Sequence, residues 1–200
     1  IINEVRQEIL ENMPYKVIHI ERCEADDIIG TLVYDTQEFG RHQKVMIISA
    51  DKDFIQLHKF DNVRQYSPMQ KKFVEHDNPR LYALEHVLKG DSGDGVPNVL
   101  SEDNVFVEGI RQTPVTQKKI DAILADLDDG ELLYAASWYR NYQRNDTLIN
   151  LANTPQELKT EIINTFDGQD PWHKQGKMFP YFVQKRCKML IECIEDFKNG

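Results

Sequence analysis

The stretch Val45-Met-Ile-Ile-Ser-Ala-Asp51-Lys-Asp53 joins a short, wholly apolar run to two carboxylates that follow it. An apolar run of this length is typical of a parallel strand covered on both faces. In open α/β sheets, ligands bind outside the carboxyl ends of the strands. The stretch therefore predicts an α/β domain with a polar site at one edge of its sheet.

Patterns on both sides of this strand predict alternating strands and helices. Apolar spacing indicates further strands at residues 15–20, 63–66 and 72–74, the last two pairing as a hairpin, and helices at residues 1–12, 25–39 and 79–88. Phe54, Ile55 and Leu57 begin a short helix. This alternation predicts a doubly wound parallel sheet that extends to about Lys89.

The pattern becomes purely helical after Gly95. Helices are expected to start at Thr113-Pro114 and at Thr154-Pro155, and to cover residues 132–142 and 182–197. The expected organisation is an α/β core over residues 1–95 and a helical subdomain over residues 96–200.

Two further acidic clusters accompany Asp51 and Asp53. They are Glu24-Ala-Asp26-Asp27, where a strand gives way to a helix, and Gly90-Asp91-Ser-Gly93-Asp94-Gly95, in a turn that closes a helix. Each aspartate alone could be a helix cap or a turn residue. Three clusters at one edge of a sheet would repel one another unless cations neutralised them, and carboxylates with water are the ligands that Mg²⁺ prefers. The set therefore predicts a magnesium site.

The bulk composition limits the possible partners. A net charge of -9 weighs against a protein that coats nucleic acid without selection, because phosphate binding depends on lysine and arginine. Local basic pairs could still follow a phosphate backbone, although each pair alone is typical of a solvated face: Lys71-Lys72, Lys118-Lys119 and Lys185-Arg186. The odd number of cysteines, without zinc-ligand spacing, and the lack of an apolar membrane span or a signal peptide predict a cytoplasmic protein.

The three acidic motifs, in this order and in these strand contexts, resemble those of the 5′-nuclease superfamily of flap endonucleases and polymerase-associated 5′–3′ exonucleases. The stretch from His58 to Val74 is similar to the ribonuclease H branch of T-even-type bacteriophages within that superfamily. The resemblance covers nearly the whole chain and is strongest up to Pro97.

The resemblance implies a set of site residues. The first Mg²⁺ would bind Glu24, Asp26 and Asp51, and the second would bind Asp53, Asp94 and Asp91, with Mn²⁺ as a substitute metal. Asp27 would support these ligands from outside. Nucleic acid would contact two pairs of lysines and two glycines of the turn at residues 90–95, which is called the acidic loop below. These residues are Lys71, Lys72, Gly93, Gly95, Lys118 and Lys119. A helix–turn–helix element from Lys89 into the helix at Thr113 would hold duplex phosphates, often with help from a monovalent cation.

The resemblance also implies a function. The expected reaction is phosphodiester hydrolysis by two magnesium ions, leaving a 5′-phosphate, in RNA primer removal and in cleavage of flaps and 5′-ended duplexes during phage DNA replication. DNA and RNA–DNA duplexes, a sliding clamp and a single-strand-binding protein are the implied partners.

Two departures from the family pattern are visible. Residues 98–104 replace the usual Gly-Ile-Gly hairpin, which affects the monovalent-ion site. The family's first strand with its aspartate, a second N-terminal aspartate and the basic helical arch have no counterpart in a chain that starts at Ile1. We therefore expect the remainder of a longer protein, poorly active alone.

Two alternatives remain open from the residues. Asp51-Lys-Asp53 imitates the Asp-x-Asp motif of haloacid dehalogenase-like phosphatases, with Asp51 as the nucleophile. The interval to the second acidic motif is short for that family, and Glu24 to Asp27 would have no role. The other alternative is a non-catalytic protein that binds branched DNA or a replication partner. No catalytic role is expected for His19, His58 or His76.

Overall fold

The computed structural model, which describes residues 1–129 and 136–197, contains a small mixed β-sheet and several helices. Strand β1 (Val45–Ile48) pairs in parallel with β2 (Val63–Ser67), and β2 pairs antiparallel with β3 (Lys72–Val74). The predicted strand at Val45 and the predicted hairpin are therefore confirmed. The described sheet is mixed and has three strands, in the order β1-β2-β3.

The described helices supply most of the remaining structure. They are α1 (Ile2–Asn12), α2 (Ala25–Gln37), α3 (Pro79–Lys89), α4 (Val105–Glu108), α5 (Gln117–Asp129), α6 (Tyr139–Ile149), α7 (Gln156–Asp167), α8 (Gln175–Gln184) and α9 (Lys188–Glu192). Short 3₁₀ segments cover Asp53–Lys59, Leu151–Asn153 and others. None of the helices in the described ranges is long and apolar enough to cross a membrane.

The chain divides into two compact units. One consists of Glu24–Gln156, and the other combines Ile1–Cys23 with Glu157–Gly200. Residues on both sides of Gly95 belong to the same compact unit. The boundary between the compact units therefore differs from the expected boundary between residues 95 and 96. The functional division into a nuclease core and a duplex-binding part stays a prediction.

The core of the unit Glu24–Gln156 fixes the elements that carry the acidic clusters. Val33 of α2, Ile47 of β1 and Val63 of β2 pack with Phe54 and Leu57 of the 3₁₀ segment Asp53–Lys59. Because Phe54 and Leu57 are buried directly after Asp53, the start of this segment is held at the carboxyl end of β1. Burial on this scale contributes about 1.5–3 kcal/mol for each large apolar side chain.

Strand β1 differs from the prediction of burial on both faces. Ile47 is buried, whereas Met46 and Ile48 are 49 % and 69 % exposed. Among the described residues, only one face of β1 is covered by packed side chains. The apolar composition of the run correctly indicated a strand but did not show this difference between its faces.

The predicted strand at residues 15–20 is wrong. These residues form no ladder with another strand in the described part of the chain. The side-chain amide of Gln169 takes the place of a neighbouring strand: the Val17 N–H donates to Gln169 Oε1 at 2.9 Å, and Gln169 Nε2 donates to the Val17 carbonyl at 2.9 Å. A side chain therefore satisfies the backbone groups of Val17, and a strand partner is not needed.

The predicted continuous helix from Phe182 to Phe197 is also wrong. Arg186 has a φ of 57°, in the left-handed region, and this residue lies between α8 and α9. The N–H groups of Arg186 and Cys187 donate to the carbonyls of Val183 and Phe182, which terminates α8. A 3₁₀ segment, Ile194–Phe197, follows α9.

Two predicted helix positions need correction. Helix α5 begins at Gln117 and not at Thr113, and the N–H groups of Lys119 and Ile120 both donate to the Thr116 carbonyl. The helix expected at residues 132–142 partly falls outside the described residues, and α6 begins at Tyr139. Pro114 marks the start of α5 only within a few residues, because a proline also fits the loop before a helix.

Candidate metal centre

The loop after β1 is held in place by a buried glutamine on the neighbouring strand. Gln65 of β2 is fully buried, and its Nε2 atom donates to the carbonyls of Ser49 and Asp51 at 2.9 and 2.6 Å. The Asp53 N–H donates to Asp51 Oδ1 at 3.1 Å. The parallel register of β1 and β2 therefore positions the loop that carries the two carboxylates.

Asp27 organises the start of α2. Its Oδ2 atom accepts the Glu24 N–H at 3.1 Å, and its Oδ1 atom accepts the Thr154 hydroxyl at 3.2 Å. The carboxylate caps the first turn and ties it to the residues after α6. Asp27 thus stabilises the turn on which Glu24 and Asp26 lie.

The acidic loop after α3 depends on glycine at position 90. Gly90 has a φ of 68°, and a Cβ atom there would lie 2.4 Å from the Val96 carbonyl oxygen. Beyond it, Asp91 Oδ1 accepts the N–H groups of Gly93 and Asp94 at 2.7 and 3.3 Å. The loop therefore turns tightly around the Asp91 carboxylate.

A buried polar residue connects this loop to the helix α6. Asn145 is fully buried, and its Nδ2 atom donates to the carbonyls of Val87 and Pro97 at 2.8 Å each. Arg144 Nε donates to Asn145 Oδ1 at 2.9 Å. These bonds hold the end of α3 and the end of the acidic loop on the same helix.

The three acidic clusters meet at two adjoining clefts. One cleft is lined by Ala50, Asp51, Lys52, Asp53, Tyr82, His86, Asp91 and Asp94. The other is lined by Glu24, Asp26, Asp53, His86, Asp91, Asp94, Gly95, Val96, Leu148 and Ile149. All six carboxylates predicted as metal ligands lie in one or both clefts, which share Asp53, His86, Asp91 and Asp94.

Crowding of these carboxylates changes their acidity. Burial, together with the charges of Asp51, Asp91 and Asp26, raises the pKa of Asp53 to about 6, although His86 opposes the shift. Burial, followed by the charges of Asp27 and Asp51, also raises the pKa of Asp26. The site therefore disfavours its own negative charge, which a bound cation would relieve.

Asp91 behaves in the opposite way. Burial alone would raise its pKa, but the N–H groups of Gly93 and Asp94 and the neighbouring His86 outweigh burial, so the pKa of Asp91 is lowered. Of the three partly buried carboxylates Asp26, Asp53 and Asp91, the carboxylate of Asp91 is therefore the most readily ionised.

His86 is a member of the centre that the sequence analysis missed. Its Nδ1 atom lies 3.4 Å from Asp53 Oδ1, and its Nε2 atom lies 3.3 Å from Asp91 Oδ2. One ligand atom from each of these three residues lies within 4.8 Å of the others. The available signal was the position of His86 in the last turn of the helix that leads into the acidic loop.

The basic residues predicted to contact nucleic acid lie elsewhere. Lys71 and Lys72 are exposed at the turn between β2 and β3, and Lys118 and Lys119 are exposed in the first turn of α5. None of these four lysines lines either cleft. Gly93 and Gly95 are exposed in the acidic loop, and Gly95 lines one cleft.

Comparison with known families assigns the chain. Residues 3–87 match the family described as the 5′-3′ exonuclease N-terminal resolvase-like domain. Residues 77–197 match the family described as T4 RNase H, C terminal. The chain therefore belongs to the T4 RNase H family. This family differs from the haloacid dehalogenase-like phosphatases suggested as an alternative by Asp51-Lys-Asp53.

Individual relatives agree with this assignment. The chain is 34 % identical over 200 residues to the ribonuclease H of Enterobacteria phage T4, covering 98 % of this chain and 65 % of that protein. It is 35 % identical over 99 residues to the 5′-3′ exonuclease of Buchnera aphidicola subsp. Schizaphis graminum, covering 46 % of this chain and 33 % of that protein. The chain thus spans less than two thirds of the length of these relatives.

Solved structures show a weaker likeness. The T5 D15 protein co-crystallised with metal ions has a TM-score of 0.45 and 20 % identity, over 74 % of this chain and 62 % of that chain. A mutant of the T5 5′-exonuclease has a TM-score of 0.45 and 18 % identity, over 84 % of this chain and 75 % of that chain.

Proposed function

We propose that this chain contributes the metal centre and a duplex-binding surface to a magnesium-dependent 5′–3′ nuclease. One observation carries the proposal: six carboxylates from three separate segments line two adjoining clefts. Membership of the T4 RNase H family supports the reaction that we propose for these carboxylates. This reaction is the hydrolysis of phosphodiesters in DNA and in RNA–DNA duplexes.

The donor set fits divalent cations. The raised pKa values of Asp26 and Asp53 reflect carboxylates that are half-buried among like charges, and oxygen-rich sites of this kind suit Mg²⁺ or Mn²⁺. Glu24, Asp26 and Asp51 would hold one ion. Asp53, Asp91 and Asp94 would hold the second.

The protein side chains would prepare the substrate and the ions for reaction. When bound, the two ions supply Lewis-acid stabilisation to the phosphodiester under attack. Asp27 would keep Glu24 and Asp26 in place through its hydrogen bonds with the Glu24 N–H and Thr154. The exposed backbone at Gly93 and Gly95 would allow a phosphate to approach the loop closely.

Substrate binding would extend beyond the clefts. Lys118 and Lys119 at the start of α5, and Lys71 and Lys72 in the hairpin, would contact phosphates without reading bases. A helix–turn–helix element between Lys89 and α5 would place the first pair on a downstream duplex. The proposed substrates are RNA–DNA and DNA duplexes with 5′ ends or flaps, as in primer removal during phage replication, with a sliding clamp and a single-strand-binding protein as partners.

The proposal is tested by a nuclease assay on the protein expressed from the complete reading frame. We expect Mg²⁺-dependent release of 5′-phosphorylated products from a 5′-labelled RNA–DNA flap substrate. Asp51→Asn and Asp26→Asn should each lower the rate at least about hundredfold, because each removes a ligand that helps to stabilise transition-state charge.

Asp61→Asn serves as the control, because Asp61 is an exposed carboxylate outside both clefts. Its rate should match that of the unmodified protein. Cleavage in excess chelator would contradict the metal-dependent reaction. Tight binding of flap DNA without any cleavage would instead support the non-catalytic alternative.

A further inference from the structure

His86 lies between two of the carboxylates proposed as metal ligands. It belongs to the last turn of α3, and its side chain is 15 % exposed. Its two ring nitrogens face Asp53 Oδ1 and Asp91 Oδ2 at 3.4 and 3.3 Å. The ring of Tyr82, one turn earlier on α3, lies 6.0 Å from the His86 ring, centroid to centroid.

The chemistry of imidazole makes this arrangement unusual for a packing histidine. A neutral imidazole has one N–H donor and one nitrogen lone pair, whereas ionised carboxylates only accept hydrogen bonds. With both nitrogens directed at carboxylate oxygens, a protonated ring donates to both carboxylates, whereas a neutral ring donates from one nitrogen and points the lone pair of the other at an acceptor. In the neutral ring, a cation bound by that nitrogen and the carboxylates takes the place of the missing proton.

We propose that His86 is a nitrogen ligand to the cation held by Asp53 and Asp91, giving this position a preference for Mn²⁺ or Co²⁺ over Mg²⁺. The inference rests on the proposed function, because it assumes a divalent ion in these clefts. One ligand atom from each of the three residues already lies within 4.8 Å of the other two. Coordination therefore requires only small side-chain adjustments.

The ligand type explains the expected metal preference. Carboxylate and water suit Mg²⁺, whereas imidazole favours later divalent metals, whose affinity also rises along the series from Mn²⁺ to Co²⁺. The other proposed ion, bound by Glu24, Asp26 and Asp51, has only oxygen ligands. The two metal positions would consequently differ in their selectivity.

The test compares His86→Gln with His19→Gln, which removes an exposed histidine outside both clefts. Pulsed electron paramagnetic resonance of the Mn²⁺-loaded chain should show nitrogen coupling in the unmodified protein and in His19→Gln, and none in His86→Gln. Co²⁺ affinity, measured by optical titration, should fall at least about tenfold in His86→Gln, while Mg²⁺ affinity changes by less than about threefold.

Each other result overturns the inference. Nitrogen coupling that persists in His86→Gln assigns the ligand to another residue. Equal losses of Co²⁺ and Mg²⁺ affinity show that His86 only positions the carboxylates. Mn²⁺ binding that lacks nitrogen coupling but weakens in Asp51→Asn removes the role of His86 and leaves the proposed function intact. If the chain bound no divalent cation at all, both the role of His86 and the proposed function would be wrong.

Discussion

Asp53 is half-buried beside other carboxylates, and burial first and these charges second raise the pKa of its carboxyl group. The pKa of Asp53 rises from 3.8 to about 6 on folding, first because of burial and then because of neighbouring carboxylates. Between these two values the folded protein binds more protons than the unfolded chain. The free energy of unfolding therefore falls as the pH rises from about 4 to about 6. Above this range, the full loss of stability caused by the ionised Asp53 is present.

We predict that Asp53→Asn stabilises the metal-free protein at neutral pH. Asparagine removes the buried charge, so the melting temperature should exceed that of the unmodified protein at about pH 7.5, and the gain should shrink as the pH falls towards about 4. Thermal unfolding followed by circular dichroism in chelator measures both effects.

Addition of Mg²⁺ should reverse the order of the two proteins. The ion stabilises the folded state that binds it, and Asp53→Asn removes one of its proposed ligands. Asp61→Asn should follow the unmodified protein under both conditions. A melting temperature for Asp53→Asn that stays lower at every pH would show that the contact with His86 matters more than the repulsion.

At the scale of secondary-structure elements, one buried side chain joins α3, α6 and the acidic loop. Asn145 on α6 donates to the Val87 and Pro97 carbonyls, which lie on either side of the acidic loop. A buried carbonyl without a partner costs about 1–3 kcal/mol. The position of Asp91 and Asp94 thus depends on a helix that is distant from them in the sequence.

We predict that Asn145→Leu lowers the free energy of unfolding by about 1–3 kcal/mol, because the buried Val87 carbonyl loses this donor, whereas the Pro97 carbonyl keeps its hydrogen bond from Arg144 Nη2. Urea denaturation of the metal-free chain measures this loss. Mg²⁺ affinity should also fall, because the acidic loop loses an anchor. Gln143→Ala, an exposed change on the same helix, should alter stability by less than about 0.5 kcal/mol. A similarly small effect of Asn145→Leu would show that water replaces these hydrogen bonds.

At the scale of the whole molecule, a net charge of -9 means that the proposed binding of nucleic acid has to depend on local positive charge. Acidic residues concentrate in the proposed metal centre, where cations would neutralise them. The exposed Lys118 and Lys119 lie on a separate helix of the same unit. Two proposed phosphate contacts should therefore contribute to binding through the release of counterions.

We predict that Lys118→Ala with Lys119→Ala weakens duplex binding about equally for all sequences. The slope of log affinity against log salt concentration should become less steep by about one to two units, as expected when two phosphate contacts disappear. Fluorescence anisotropy with several duplexes over a range of salt concentrations measures the slope.

The matched control replaces Lys177 and Lys188, which are exposed and outside both clefts. This pair changes the net charge equally and should leave the slope unaltered. If Lys118→Ala with Lys119→Ala weakened binding only to some duplex sequences, these lysines would contact bases. An unchanged slope in Lys118→Ala with Lys119→Ala would move the duplex contact to other residues, with Lys71 and Lys72 as the next pair to replace.

The sequence by itself determined the features that depend on local pattern. The apolar run Val45–Ile48, the hairpin after it and the helices α2 and α3 follow from residue spacing, because each pattern is contained within a few neighbouring residues. The three acidic motifs were visible for the same reason. Their order and strand contexts also indicate the family to which the chain belongs.

Only the tertiary structure decided which side chains meet across the fold. The contact of His86 with Asp53 and Asp91 joins a helix, a strand end and a loop. The bonds between Gln169 and Val17, and the unequal burial of Met46 and Ile47, likewise depend on segments far apart in the chain. Local periodicity shows which face of an element is apolar. Periodicity does not show which group packs against that face, because that group comes from another part of the folded chain.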